Sequence, residues 1–229
     1  MSSLVLLPGM DGTGSLFSDF ISALPRDSEP LVVRYPSDRA LSYPEIENFV
    51  SERLPLQPHI LVAESFSGPI AIAVAATAPL GLRGVVLVCS FAKAPVSALI
   101  GGLVAKLPLW RAPVRLSAAA LLGRHSTPSL RKRLSAAISQ VSAEVWRSRL
   151  RAVLSVDVTS RLKAVKVPLL YMQAQSDRVV PGSAWRQIKR FLPTAQFEAM
   201  SGPHFLLQAK PVESAARITL FAKELGFAL

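Results

Sequence analysis

The sequence predicts an α/β protein in which a mostly parallel, six-stranded sheet carries helices on both faces, with one helical segment inserted late in the strand order. Three observations carry this. Six short apolar runs recur along the chain, and stretches with helical spacing separate most of them, the rhythm of βαβ units. Several of these runs end in loops rich in Gly, Ser, Asp and Pro, as strands of a parallel sheet do at one edge. The rhythm breaks once, from Phe91 to about Lys163, where helical patterns separated by Pro95, Pro108, Pro113, Gly123 and Pro128 replace strands.

In chain order, the first strand is 4–7, an unbroken Leu-Val-Leu-Leu run stopped by Pro8-Gly9. A helical pattern follows at 15–23, then a strand at 31–35 and a helix at 44–54 that begins on Pro44. The strand 59–63 runs directly into a long apolar helix, 66–78. The fourth strand, 84–89, precedes the irregular segment. Beyond that segment come the strand 167–174, the helix 183–191, the strand 195–200 and a last helix over 211–225.

A chain of 229 residues, half of them hydrophobic, is one domain of ordinary size with enough apolar surface for a substantial core. No run reaches the ~20 apolar residues that span a bilayer, and the nearest, 96–110, is interrupted by Lys106 and Pro108. The start lacks a basic region ahead of its apolar run, so it reads as a first strand rather than a signal peptide. Cys89 is the single cysteine, cannot form an internal disulfide, and reads as a small core residue. A cytoplasmic protein is the expectation.

The chemistry-bearing pattern centres on Ser65, in Ala63-Glu64-Ser65-Phe66-Ser67-Gly68 between an apolar strand and an apolar helix. This layout is that of a nucleophile elbow, a tight strand-to-helix turn that lifts a hydroxyl clear of the sheet. Small residues two before and two after the serine let strand and helix approach; Ala63 and Ser67 stand where glycines are usual. By itself the string also describes a serine capping an ordinary helix. Asp177 lies in the loop after the strand 167–174, and His204 in the loop after 195–200. Nucleophile, acid and histidine thus occur in the order Ser, Asp, His, each just past a strand, where an open parallel sheet brings distant loops together.

With these residues the chain resembles the α/β-hydrolase superfamily over nearly its whole length. Leu6-Leu7-Pro8-Gly9-Met10-Asp11-Gly12-Thr13-Gly14 is similar to the family's His-Gly oxyanion loop, with Pro8 in the histidine's place. The resemblance implies a compact α/β-hydrolase core beginning at the family's third strand, with the core at 1–90 and 164–229 and a helical cap at 91–163. It implies Ser65 as nucleophile, His204 as general base and acid, Asp177 as the residue orienting the imidazole, and backbone N–H groups of Met10 and Phe66 as oxyanion donors. No cofactor is implied. The glycines of the loop do not spell a phosphate-binding motif, and three histidines with one cysteine have no metal-ligand spacing.

Competing assignments are weaker. With Ser67 as nucleophile, Pro69 would fill a position that needs a small residue. Asp157 reads as a turn or N-cap residue on the approach to a strand, and Glu64 as a structural carboxylate beside the nucleophile. His59 opens a strand and His125 lies in the irregular segment, neither with an acid partner in sequence.

Charge singles out the segment 91–163, which holds thirteen Lys and Arg against two acids, a surplus equal to the +11 of the whole protein. It is also apolar-rich, and Leu103, Leu107 and Trp110 are the expected substrate-contacting residues of a lid that is apolar beneath and basic above. The basic face suits an acidic carrier protein or an anionic surface, or serves as a solvated face. No nucleic-acid module accompanies the charge. The expected activity is a serine carboxylesterase acting on small to medium acyl esters. The alternatives are an esterase or thioesterase for carrier-linked substrates, as a general likeness to pimeloyl-[acyl-carrier protein] methyl ester esterases implies, and a non-catalytic receptor on the same fold.

Overall fold

The computed structural model describes residues 3–26, 28–95 and 114–227. Its strands are β1 (Ser3–Leu7), β2 (Leu31–Val32), β3 (His59–Glu64), β4 (Leu82–Val88), β5 (Leu169–Ala174) and β6 (Gln196–Met200). They form one six-stranded sheet in the order β2-β1-β3-β4-β5-β6. Every pairing is parallel. The described helices are α1 (Ser18–Ser22), α2 (Tyr43–Ser51), α3 (Gly68–Ala76), α4 (Val114–Leu122), α5 (Pro128–Ser139), α6 (Ala143–Ser155), α7 (Ser183–Phe191), α8 (Leu206–Ala209) and α9 (Pro211–Glu224). None is long and apolar enough to cross a membrane.

A parallel sheet is covered on both faces, so its central strands read as continuous apolar runs rather than alternating ones. β1 and β3 meet this requirement, and residues of opposite parity serve opposite layers. Val5, Leu7, Leu61 and Ala63 join the layer of α2, α3 and α7; Leu4, Leu6, Ile60 and Val62 join that of α1 and α9. α3 is apolar all round and buried from Gly68 through Ala75, which follows from its place against the centre of the sheet.

Of the elements that differ from the expected bounds, two have a local cause. The second strand is shortened to Leu31–Val32: Val33 N still donates to Leu6 O, at 3.0 Å, but Tyr35 N turns away to Gly12 O, at 2.8 Å. The helix expected at 15–23 opens as a 3₁₀ turn, Ser15–Phe17, because Gly14 ahead of it adopts φ 68°.

The helices α4 to α6 lie between β4 and β5, and α4 and α5 form their own apolar cluster with Leu16 and Phe205. α5 and α6 start on side-chain caps, Thr127 Oγ1 accepting from Leu130 N and Ser142 Oγ from Val145 N. The chain leaves and re-enters the sheet layer at one place. Ala94 N donates to Val156 O at 2.9 Å, Val158 N to Ala92 O at 2.8 Å, and Lys93 pairs with Asp157 at 3.0 Å. Arg133 makes a two-pronged pair with Asp19, at 2.7 and 2.5 Å, which ties α5 to α1.

Candidate active site

Ser65 follows β3 directly and takes φ 49°, a left-handed conformation rare outside glycine. The next residues form a 3₁₀ turn, Ser65–Ser67, that runs into α3. This is the strained strand-to-helix turn expected of an elbow. Its tightest contact lies one residue beyond the pattern read from sequence. A Cβ on Gly68 would stand 1.8 Å from Ser90 Oγ, which itself donates to Ser65 O at 2.5 Å.

Ser67, in place of the usual glycine, is fully buried and its hydroxyl donates to Pro8 O. With that proton committed, Tyr35 OH donates to Ser67 Oγ at 2.6 Å. The serine therefore joins the elbow to the Pro8–Gly14 loop, a bond glycine could not make.

His204 and Asp177 arrive from the neighbouring strand ends. The β5–β6 ladder continues past the strands, with Gln175 N donating to Met200 O at 2.9 Å and Ser176 N to Gly202 O at 3.0 Å, which aligns the two loops. His204 is 1% exposed. Its Nε2 lies 2.8 Å from Ser65 Oγ, and its Nδ1 lies 2.8 and 3.0 Å from the two oxygens of Asp177. Asp177 Oδ1 also accepts from Val179 N at 2.8 Å and Val180 N at 2.9 Å, so its own turn fixes the carboxylate. A hydroxyl, an imidazole and a carboxylate from three separated loops thus meet in a hydrogen-bonded series.

Cys89 stands beside that series, one residue past β4 at the same sheet edge, with φ 48°. Its Sγ and the ligand atoms of Asp177 and His204 all lie within 4.8 Å of one another. Burial first, and then the charge of Asp177, push its thiol well above the usual range, so it is a neutral thiol. Reading it as a core residue describes its burial but misses these neighbours; its position past a strand end was the available signal. Of the residues set aside from sequence, Asp157 accepts from Thr159 N at 3.1 Å and Thr159 Oγ1 at 2.7 Å, a turn role. His59 Nδ1 lies 2.9 Å from Gln57 O, away from the series.

Glu64 is 2% exposed, with Oε2 accepting from Gln208 Nε2 at 3.2 Å and Oε1 without a hydrogen-bond partner. Burial raises its pKa to about 8, the charge of Asp11 adding to the rise and the Gln208 bond opposing it, so the side chain is largely protonated at neutral pH. A folded-state pKa raised above the ordinary 4.5 contributes stability that is complete below 4.5 and lost as pH rises through about 8. Glu64→Gln keeps the shape and removes the titration. The variant should therefore gain about 4 kcal/mol of unfolding free energy relative to wild type between pH 5 and 8. Urea denaturation of both proteins at the two pH values measures this; a constant difference would show that Glu64 does not titrate in this way.

Ser65 and His204 open into a cavity of about 460 Å³ that Met10 and Phe66 also line. Its walls are mostly apolar and include Leu121 of α4, Leu134 and Ile138 of α5, and Trp146 and Leu150 of α6. Leu103, Leu107 and Trp110, the substrate-contacting residues expected from sequence, lie outside the described residues. Trp146 and Leu150 were not singled out, although their i, i+4 spacing, continued at Val153, marks one face of a helix. Phe66 is held on both sides, with Tyr43 stacked on its ring at 4.8 Å and Tyr35 tilted against it at 6.3 Å. Tyr43 OH donates to Phe66 O at 3.0 Å. One expectation fails here: Arg149, counted with the outward-facing charges, is 2% exposed and turned into the protein. Its guanidinium finds carbonyl acceptors there, which a solvated face would not require.

The chain belongs to the alpha/beta hydrolase family, whose model matches residues 4–217. No curated protein matches it in sequence. Solved structures share the fold at low identity. A hydrolase from Oleispira antarctica superposes with a TM-score of 0.85 at 14% identity, over 97% of this chain and 90% of that one. A thermophilic esterase from Thermogutta terrifontis, with malate bound, gives 0.80 at 16% identity over 99% and 90%. A bromoperoxidase from Bacillus anthracis gives 0.85 at 16% identity over 97% and 92%. Neighbours with such different names make the site, not the fold, the ground for assigning chemistry.

Proposed function

We propose that this hydrolase is a serine carboxylesterase acting on small to medium acyl esters through an acyl-enzyme. The observation that carries the reading is the Asp177–His204–Ser65 series, whose Ser65 and His204 line a mostly apolar cavity. An unactivated hydroxyl is a poor nucleophile at neutral pH, so His204 Nε2 takes the Ser65 proton as Oγ attacks the ester carbonyl carbon. Asp177 keeps the other ring nitrogen protonated and stabilises the imidazolium. Backbone N–H groups of Met10 and Phe66 receive the negative oxygen; each such donor is worth about 3–4 kcal/mol in acyl transfer. The tetrahedral species collapses, the C–O bond to the alcohol breaks, and His204 returns its proton to the departing alkoxide. Water then repeats the sequence on the acyl-Ser65 and releases the acid. No step needs a cofactor.

The acyl chain occupies the cavity beneath α4 to α6, and the segment 91–163 serves as a cap. The paired backbone at 92–94 and 156–158, where the segment leaves and rejoins the core, supports that division. A fluorophosphonate probe should label Ser65. p-Nitrophenyl esters from acetyl to dodecanoyl should be hydrolysed, with the best rate near about hexanoyl for a cavity in the lower range of ligand pockets. Folded protein that neither labels nor turns over any ester would favour the receptor reading. A carrier-linked acyl ester or thioester is the second reading. It is favoured by the exposed side chains of Arg124, Lys132 and Arg151, which belong to the segment that roofs the cavity. Reversing those three charges should then raise KM for a carrier-linked ester alone; equal effects on the free ester exclude it.

A further inference from the structure

Arg149 comes from the helix α6, whose Trp146 and Leu150 line the cavity, and its side chain leaves that helix for the loop after β1. Nη1 donates to Met10 O at 2.9 Å and to Asp11 O at 2.7 Å, while Nη2 donates to Pro36 O at 2.8 Å. The guanidinium also lies over the Tyr35 ring, 5.8 Å from its centre. Among the described residues, no carboxylate forms an ion pair with it. The nearby Asp11 carboxylate is engaged by Thr13 N at 2.9 Å and Thr13 Oγ1 at 2.6 Å. A buried cation bonded to neutral carbonyls is an unusual way to fill space, because ordinary apolar residues do that without desolvating a charge.

The bonded carbonyls explain the choice. Gly12 N donates to Gly9 O at 3.0 Å, so residues 9–12 form a turn whose central peptide joins Met10 to Asp11. Because each peptide unit is planar and trans, directing a carbonyl one way directs the N–H of the same unit the other way. The turn bond sets the 9–10 unit, and with it Met10 N–H. Arg149 holds the next two units by Met10 O and Asp11 O. Gly12 completes the fit: it has φ 68°, and a Cβ there would stand 2.6 Å from Arg149 Nη1.

We infer that Arg149 is a positioning residue for the esterase reaction, holding the 9–12 turn so that its N–H group faces the oxyanion. It ties the oxyanion loop to the helix that walls the acyl cavity. The inference rests on the esterase reading for its kinetic consequence, but the loop contact is separately measurable.

The test compares wild type with Arg149→Ala and Arg149→Lys. kcat for a p-nitrophenyl ester should fall about 100-fold in the alanine variant with KM changed less than about 3-fold, since a displacement near 1 Å carries that cost. Affinity for an aryl boronic acid, which mimics the tetrahedral species, should fall in parallel. Guanidinium at low millimolar concentration should restore at least about a tenth of the lost rate in Arg149→Ala and none in wild type. Lysine keeps the charge without the fork and should show the same loss of kcat. It serves as the test if the alanine variant does not fold. Amide exchange at residues 9–14 should accelerate in the variants while β3 to β5 stay protected. Unchanged kcat, a loss confined to KM, or a loss without guanidinium rescue in a folded alanine variant would overturn the positioning role. A wild-type protein without ester turnover would instead overturn the esterase reading; exchange at 9–14 that ignores Arg149 would then overturn the contact's role in holding the turn.

Discussion

Ser65→Ala should reduce kcat/KM for p-nitrophenyl esters on the order of 10⁵- to 10⁶-fold while leaving the protein folded. On the proposed mechanism the large loss follows from removing the atom that forms the acyl-enzyme; what remains is binding and oxyanion stabilisation of an unassisted attack by water. The small structural effect follows from the surroundings of the side chain. Among the described residues Ser65 Oγ bonds His204 Nε2 alone, and a net hydrogen bond is worth about 1 kcal/mol. The backbone at φ 49° is held by Ser90 and the elbow, and alanine is no worse there than serine. Fluorophosphonate labelling, ester turnover and a melting curve on one preparation separate the outcomes. Turnover within about tenfold of wild type would transfer the chemistry to another residue.

Asp177→Asn should lower kcat by about 10⁴-fold with little change in KM, by inverting the tautomer of His204. The direction is set by Asp177's other partners. Val179 N and Val180 N both donate to Oδ1, so an asparagine must place its carbonyl oxygen there. Its NH₂ group then takes the position of Oδ2 and points a donor at His204 Nδ1. The imidazole can answer only by keeping Nδ1 unprotonated and carrying its proton on Nε2, where it faces Ser65 Oγ and cannot accept a second one. The nucleophile loses its base although every heavy atom stays in place. Loss of kcat with unchanged structure supports this account; full activity would remove Asp177 from the mechanism.

The series was legible in the sequence for a topological reason. Parallel strands place their carboxyl ends on one edge, so Ser65, Asp177 and His204 could be brought together from strand order alone, although 139 positions separate the first from the last. β1 and β3 were legible because burial on both faces demands unbroken apolar runs. What escaped depends on contacts between distant segments. Arg149 reads as one more surface charge in a basic segment, and only the folded chain shows it against carbonyls more than 100 positions away. Gly68 falls inside the helix expected at 66–78, a pattern that does not show that the side chain of Ser90, on the next strand's loop, leaves no room for a Cβ. The shortening of the second strand has the same origin, since Tyr35 N is drawn off the sheet by Gly12 O.

A lone cysteine usually offers a convenient handle for attaching a dye or spin label. In this protein the sulfur sits beside Asp177 and His204, closed off from solvent and held in its unreactive acid form. A thiol reagent can reach it only when the rim of the sheet parts. The rate at which such a reagent is consumed therefore becomes a clock for how often that rim comes open.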